Sequence, residues 1–489
     1  MTEAAANSKK DIAAVFAAAY PPPGRRGETA SDCPIRERTM RIFVARSGRV
    51  LLAVAIFNLL PLARLFAEGE TAADGATAAA SSSGTGSSDS GSTSNVGLGT
   101  FSRLPFNISA SVYGGYDDNP NTAADGSPKQ DSWFTSVAVI ADLKLETPRT
   151  KLDLSSNFGF TYYTSLSNNQ LEPNINLTVN LTHKLSSRLT LGITSSSAYQ
   201  TEPDFQYGLG TNRRAGNYFY TSNNFSASYA WVPRFSTVTS YGITYIKYDD
   251  IASGLFEDRA ENTFGNQFRF LILPTTNLVG EYRFQVVSYL HEGDVIPGSL
   301  PPVRVERDST THFLLGGFDH AFSPRLTATF RGGVELRDYE SVGEKDSPYF
   351  ESTVSYLLGK DTSVQWYTRY GVEEGDIQFN PTRTSFRTGL QGRHNLTARI
   401  SASFSVYYDH DDYDETVSEV LNPNPPPATL PLVNPSFTED AFYIDLALRY
   451  SITRYMGLQT GYDHTEVTSG AVGRDYSRNR VWAGFNVAF

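Results

Sequence analysis

The last fourteen residues, Tyr476 to Phe489, constrain this chain more than any other stretch, and they read YSRNRVWAGFNVAF. In an extended strand, successive side chains point to opposite faces. Val481, Ala483, Phe485, Val487 and Phe489 then share one face, while Arg478, Arg480, Trp482, Gly484, Asn486 and Ala488 share the other. One face is apolar to the final residue, where a terminus bathed in water would trail into polar residues. Such a strand suits a wall between lipid and a wet lumen.

The ending resembles the C-terminal signal of bacterial outer-membrane β-barrels, which the assembly machinery of that class reads. The resemblance assigns that role to Gly484, Phe485, Val487 and Phe489. The chain departs from the usual pattern at Val487, where an aromatic is normal, and at Trp482, where a polar residue is commoner.

The same alternation recurs upstream. In 396–408 the even residues Leu396, Ala398, Ile400, Ala402, Phe404 and Val406 oppose Thr397, Arg399, Ser401, Ser403 and Ser405. Val364, Trp366 and Tyr370 alternate with Gln365, Tyr367 and Arg369, and Ile175, Leu177, Val179 and Leu181 with Asn176, Thr178 and Asn180. No run of about 20 apolar residues occurs, so a helical span is excluded. The mean hydropathy of −0.32 is no obstacle to a barrel, because only alternate residues face lipid. A soluble β-sandwich would alternate too, but seldom needs so many long strands with arginine beside serine and asparagine on the polar side.

A net charge of −11 argues against nucleic acid as a partner. The lone cysteine, Cys33, precedes the expected cleavage site, so a processed chain would have no disulfide or thiol site. Residues 1–39 lack periodicity and read as an extension that is unstructured or not part of the native protein, with Met40 as the expected start. In 40–67, Arg41, Arg46 and Arg49 precede the apolar run Val50–Leu60 and a tolerable cleavage site at Leu65-Phe66-Ala67, the pattern of a secretory leader. A membrane anchor is the rival, but about 12 apolar residues are too few to span. Residues 68–100 are mostly Ala, Ser, Gly and Thr, a composition expected to form a flexible periplasmic tether.

From 101 to 489 the pattern is uniform. Tight bends such as Leu185-Ser186-Ser187-Arg188, Phe322-Ser323-Pro324-Arg325 and Ser451-Ile452-Thr453-Arg454 alternate with long polar connections around 117–130, 165–173, 201–216, 249–260, 291–308, 340–347, 374–381, 410–438 and 468–475. Eight short turns and nine long loops predict an all-β, antiparallel up-and-down transmembrane barrel of about eighteen strands. An even count puts both termini at the short-turn end, expected to be periplasmic, with lipid and lipopolysaccharide around the wall.

With lipid assigned to the apolar face, Arg269, Arg283, Arg331, Arg337, Arg369, Arg383, Arg387, Arg393, Arg399, Arg449, Arg478 and Arg480 project inward. The inward acids read from the same strands are fewer: Glu281, Glu335, Glu351, Asp445 and Asp463. Basic rings favour anions, and arginine grips carboxylate or phosphate at two points. The same arginines could instead pair with lumenal acids and stiffen the wall.

Three aromatic-Asp-His triplets, ending at His320, His410 and His464, cannot share one site, since His320 belongs to the opposite rim. No ligand spacing matches a metal site, and no Gly-x-Ser-x-Gly elbow, phosphate loop or dinucleotide fingerprint occurs. No catalytic residue, metal or cofactor is called for.

The opening FNISASVYGGYDDNP (Phe106–Pro120), the hairpin repeat and the aromatic terminus together resemble a family of β-barrel porins associated with exopolysaccharide and exosortase-type systems. That resemblance implies an outer-membrane location and polysaccharide-export components as partners. The expectation is a channel for small anionic solutes or an acidic polysaccharide. A non-conducting envelope scaffold and a barrel hydrolase are the alternatives, and the oligomeric state stays open.

Overall fold

In the computed structural model, residues 106–489 are described apart from 167–169, 202–215, 250–256, 292–293, 296–303, 306, 341–342, 378–379 and 423–427. The expected extension, leader and tether, with Cys33, lie outside the described residues.

The short bends make hairpins for a shared chemical reason. Ser186, Ser323, Thr397 and Thr453 each open a turn, and each hydroxyl accepts the backbone N–H three residues on, at 3.0–3.1 Å. These bends join β4 (Leu171–Lys184) to β5 (Leu189–Gln200), β12 (Ser309–Ser323) to β13 (Leu326–Tyr339), β16 (Asn380–Asn395) to β17 (Ile400–Tyr413), and β20 (Phe437–Ser451) to β21 (Met456–Ser469). Four further tight turns join β2 (Ser132–Glu146) to β3 (Thr150–Tyr163), β6 (Tyr218–Val232) to β7 (Phe235–Tyr248), β8 (Arg259–Leu273) to β9 (Thr276–Tyr289), and β14 (Gly343–Leu358) to β15 (Thr362–Ile377). Two small hairpins, β10 (Asp294–Val295) with β11 (Arg304–Val305) and β18 (Thr416–Asn422) with β19 (Ala428–Asn434), lie within long connections.

The remaining strands, β1 (Phe106–Asp117) and β22 (Tyr476–Ala488), pair with each other and close an eighteen-stranded antiparallel sheet. Closure removes the free edges that an open sheet of this size would expose. The first and last strands begin and end at the short-turn end.

The outer face is apolar and exposed, including Val112, Val139, Phe158, Phe264, Leu314, Leu446 and Phe485. Some polar groups on it are paired across strands: Ser195 donates to Asn223 at 2.6 Å, and Ser197 meets Thr221 at 2.8 Å. Trp231, Phe270, Phe322 and Tyr450 mark one rim and Trp133 and Tyr162 the other, as aromatic girdles do.

Three boundaries differ from expectation. The connection expected at 340–347 shrinks because β14 begins at Gly343, and the one expected at 374–381 because β15 runs to Ile377 and β16 starts at Asn380. Residues 396–399, expected at the start of a strand, form the turn before β17.

Candidate permeation path

The inner wall has two chemistries. Across the middle of β4 to β7 it offers uncharged polar groups, among them Asn176, Thr178, Ser222, Asn224 and Ser240. From β8 onward it alternates acid and base. Asp319 lies 3.8 Å from Arg269 and 2.7 Å from Arg331, and Arg331 lies 3.4 Å from Glu281. Arg283 pairs with Glu281 and, at 2.5 Å, with Glu351. Arg369 meets Glu373 at 3.4 Å, and Arg383 bridges Glu373 at 3.1 Å and Asp411 at 2.7 Å. Several of these pairs skip strands: Arg283 on β9 reaches Glu351 on β14 past β12 and β13. Side chains meet over such a gap only on the concave side of a closed sheet.

The arginines singled out from sequence therefore fall into groups. Arg331, Arg337, Arg383, Arg387 and Arg478 are buried and ion-paired, Arg387 to Asp409 at two points, 2.5 and 2.7 Å. Arg369 and Arg480 are paired with more exposure, Arg480 to Asp463 at 2.8 Å. Arg393 and Arg449 sit nearer the short-turn end, on either side of β17. Asn486, with its amide turned so that the nitrogen donates to Gly457, accepts from Arg449 at 2.8 Å. Arg399 lies in the exposed turn 396–399 rather than on a strand. Its sequence neighbours alternate like a strand, but Thr397 bends the chain there.

Beside the ionic ladder, Tyr367, Tyr407 and Tyr443 stand in a row with ring centroids 5.9 Å apart. Gly389 makes the row possible, since a Cβ there would lie 2.3 Å from Tyr367 and 2.5 Å from Tyr407. Gln391 donates to Gln365 next to it, at 2.6 Å.

Glu281, Glu335, Glu351 and Asp463, read as inward from sequence, do pair with arginines, but several other neutralising acids were missed. Glu373, Glu374, Asp376, Asp411 and Glu439 fall in stretches dense enough in charge to read as solvated loops. The available signal was Glu373-Glu374 facing Arg383 and Arg387 within one hairpin. The histidine triplets resolve as rim chemistry: His410 contacts Asp440 at 2.8 Å, His464 contacts Asn479 at 2.9 Å, and His320 contacts Thr276 at 2.7 Å. Among the described residues no cluster of His, Cys, Asp and Glu could hold a metal ion.

No curated protein matches this chain. Among solved structures, it resembles the siderophore receptor PirA from Acinetobacter baumannii, at 9% identity over 79% of this chain and 81% of that one, with a TM-score of 0.38. OccAB3 from Acinetobacter baumannii matches at 10% identity over 78% and 99%, TM-score 0.37. Pseudomonas aeruginosa OccK2 (OpdF), solved with glucuronate, matches at 11% identity over 78% and 98%, TM-score 0.38. Overlap at this level says nothing about cargo. The family model described as "Putative beta-barrel porin 2" matches residues 97–489, and the chain belongs to that family of outer-membrane barrels.

Proposed function

We propose that this porin carries anionic solutes, either small acids or an acidic polysaccharide, along the arginine side of its lumen. The observation that supports this reading most is the ladder from Arg269 to Arg383, in which each guanidinium already holds a carboxylate. A passing carboxylate or phosphate offers arginine the same two-point geometry, so partners exchange like for like. The row Tyr367–Tyr407–Tyr443 adds flat apolar faces beside the charges. In this reading both termini are periplasmic, behind a cleaved leader. The assembly machinery reads Gly484, Phe485, Val487 and Phe489, and polysaccharide-export components are candidate partners. The reading assigns no catalytic residue.

A second reading, a non-conducting scaffold, draws on the same ladder: arginines fully matched by acids stiffen a wall without any solute. Planar-bilayer recording separates the two. A reversal potential favouring anions under a salt gradient, weakened by Arg369→Gln, supports the channel. Silence from folded protein supports the scaffold.

A further inference from the structure

The β15–β16 hairpin leaves the wall. β14 and β15 pair only as far as Phe350 and Tyr370, although β14 extends back to Gly343 and β15 on to Ile377. Beyond that point, β15 lies against the inner surface of β13. Val372 N–H donates to Glu335 at 3.1 Å, and Arg337 donates to Val372 O at 3.1 Å and to Glu374 at 2.6 Å. From the long connections, Arg307 caps the carbonyls of Gly375 and Ile377 at 3.1 and 2.7 Å, and Arg474 holds Asp376 at 2.9 Å. Side chains thus satisfy the strand edge that β14 has given up. Behind the hairpin, Lys345 on β14 pairs with Asp414 just past β17. Three strand spacings, about 14 Å, would separate those strands if the hairpin stood between them.

Both abandoned edges keep the register for re-pairing. Continued by one residue at a time from Phe350–Tyr370, it sets Ser347 opposite Glu373 and Gly343 opposite Ile377. We propose that β15 from Gly371 to Ile377, with β16 from Asn380 to Arg383, is a two-position gate, tucked into the lumen under Arg307, Arg337 and Arg474 or zipped into the wall beside β14. The tucked position narrows the path and the zipped position opens it. Gly371 is the point of departure, because a Cβ there would lie 2.8 Å from the Tyr349 ring and 3.0 Å from Glu335. This inference rests on the channel reading.

The test is a cysteine pair, Ser347→Cys with Glu373→Cys, in the full chain carrying Cys33→Ser. The zipped register alone makes them cross-strand neighbours. A control pair, Ser355→Cys with Gln365→Cys, is already opposite in the structure. Single-channel current is recorded in planar bilayers before and after mild oxidation and again after reduction. The expected result is a disulfide in both pairs, with open probability rising roughly tenfold or more on oxidation of the test pair alone and falling back on reduction. A disulfide in the control but none in the test pair overturns the gate. So does a test disulfide that leaves the current unchanged. In that last case, steady equal current removes the gate alone, whereas zero current in both states removes the channel reading as well.

Discussion

Asp117, at the end of the first barrel strand, and Arg478, on the last, form a buried ion pair that joins the two ends of the sheet. The Arg478 Nε lies 3.1 Å from both carboxylate oxygens of Asp117, and Tyr163 donates to the same group at 3.2 Å. Arg478 therefore acts in closure before it acts on any solute. Breaking one partner of such a pair leaves a buried charge, which costs about 3–5 kcal/mol. Asp117→Ala is expected to lower unfolding stability by that order, measured by urea titration in detergent, while ion selectivity stays unchanged. The double variant Asp117→Leu with Arg478→Met should recover most of the loss.

The seam has a steric requirement as well. A Cβ on Gly484 would sit 2.2 Å from the Val112 carbonyl oxygen and 2.5 Å from the Tyr113 ring. Gly484→Val is expected to prevent β22 from docking on β1. The product should run on unheated gels as unfolded protein. Phe489→Ala creates no such clash, so it should slow assembly in cells while leaving refolded protein with normal thermal stability. Equal loss in both variants would show that the terminal residues serve closure alone.

Strand number, connection order and the apolar face were legible because they depend on a period of two sustained through each wall segment. Phe485 and Val487, or Trp366 and Tyr370, reveal their side by composition alone. The interior was less legible because inward residues answer to partners far away in the chain. Arg283 finds Glu351 and Arg474 finds Asp376, and no local spacing encodes either contact. Where β15 departs from the wall, outward parity stops meaning lipid. Glu374 lies on the side that would face outward, yet it is buried against Arg337. Its charge made the stretch look like a loop.

The assignment of lipid to the even residues of β20 can be tested directly. Leu446 is exposed on the outer face, and Thr178 on β4 faces the polar interior. Leu446→Arg is expected to cost about 2–4 kcal/mol if the residue lies near the bilayer midplane. Thr178→Arg should cost far less and change single-channel conductance instead. Refolding into vesicles with urea titration gives the first quantity and bilayer recording the second. A reversed order of costs would invert the two faces.

Glu257, in the connection before β8, ties the tucked hairpin to pH. Burial pushes its carboxyl up, to about 7, and Asp376 on the hairpin adds to the rise, while Arg259, Arg307 and Arg383 oppose it. Among the described residues, one carboxylate oxygen of Glu257 has no hydrogen-bond partner. A folded-state value above the unfolded 4.5 means that the folded protein binds the extra proton. The contribution to stability is therefore fully present below about 4.5 and is lost as pH rises through about 7. Above that point, ionised Glu257 repels Asp376 and loosens the hairpin. Amide exchange of 371–377, corrected for intrinsic rates, should be slower at pH 5 than at pH 8. Glu257→Gln keeps the neutral form at every pH and should flatten the difference, and an undiminished difference in that variant would assign the effect to another group.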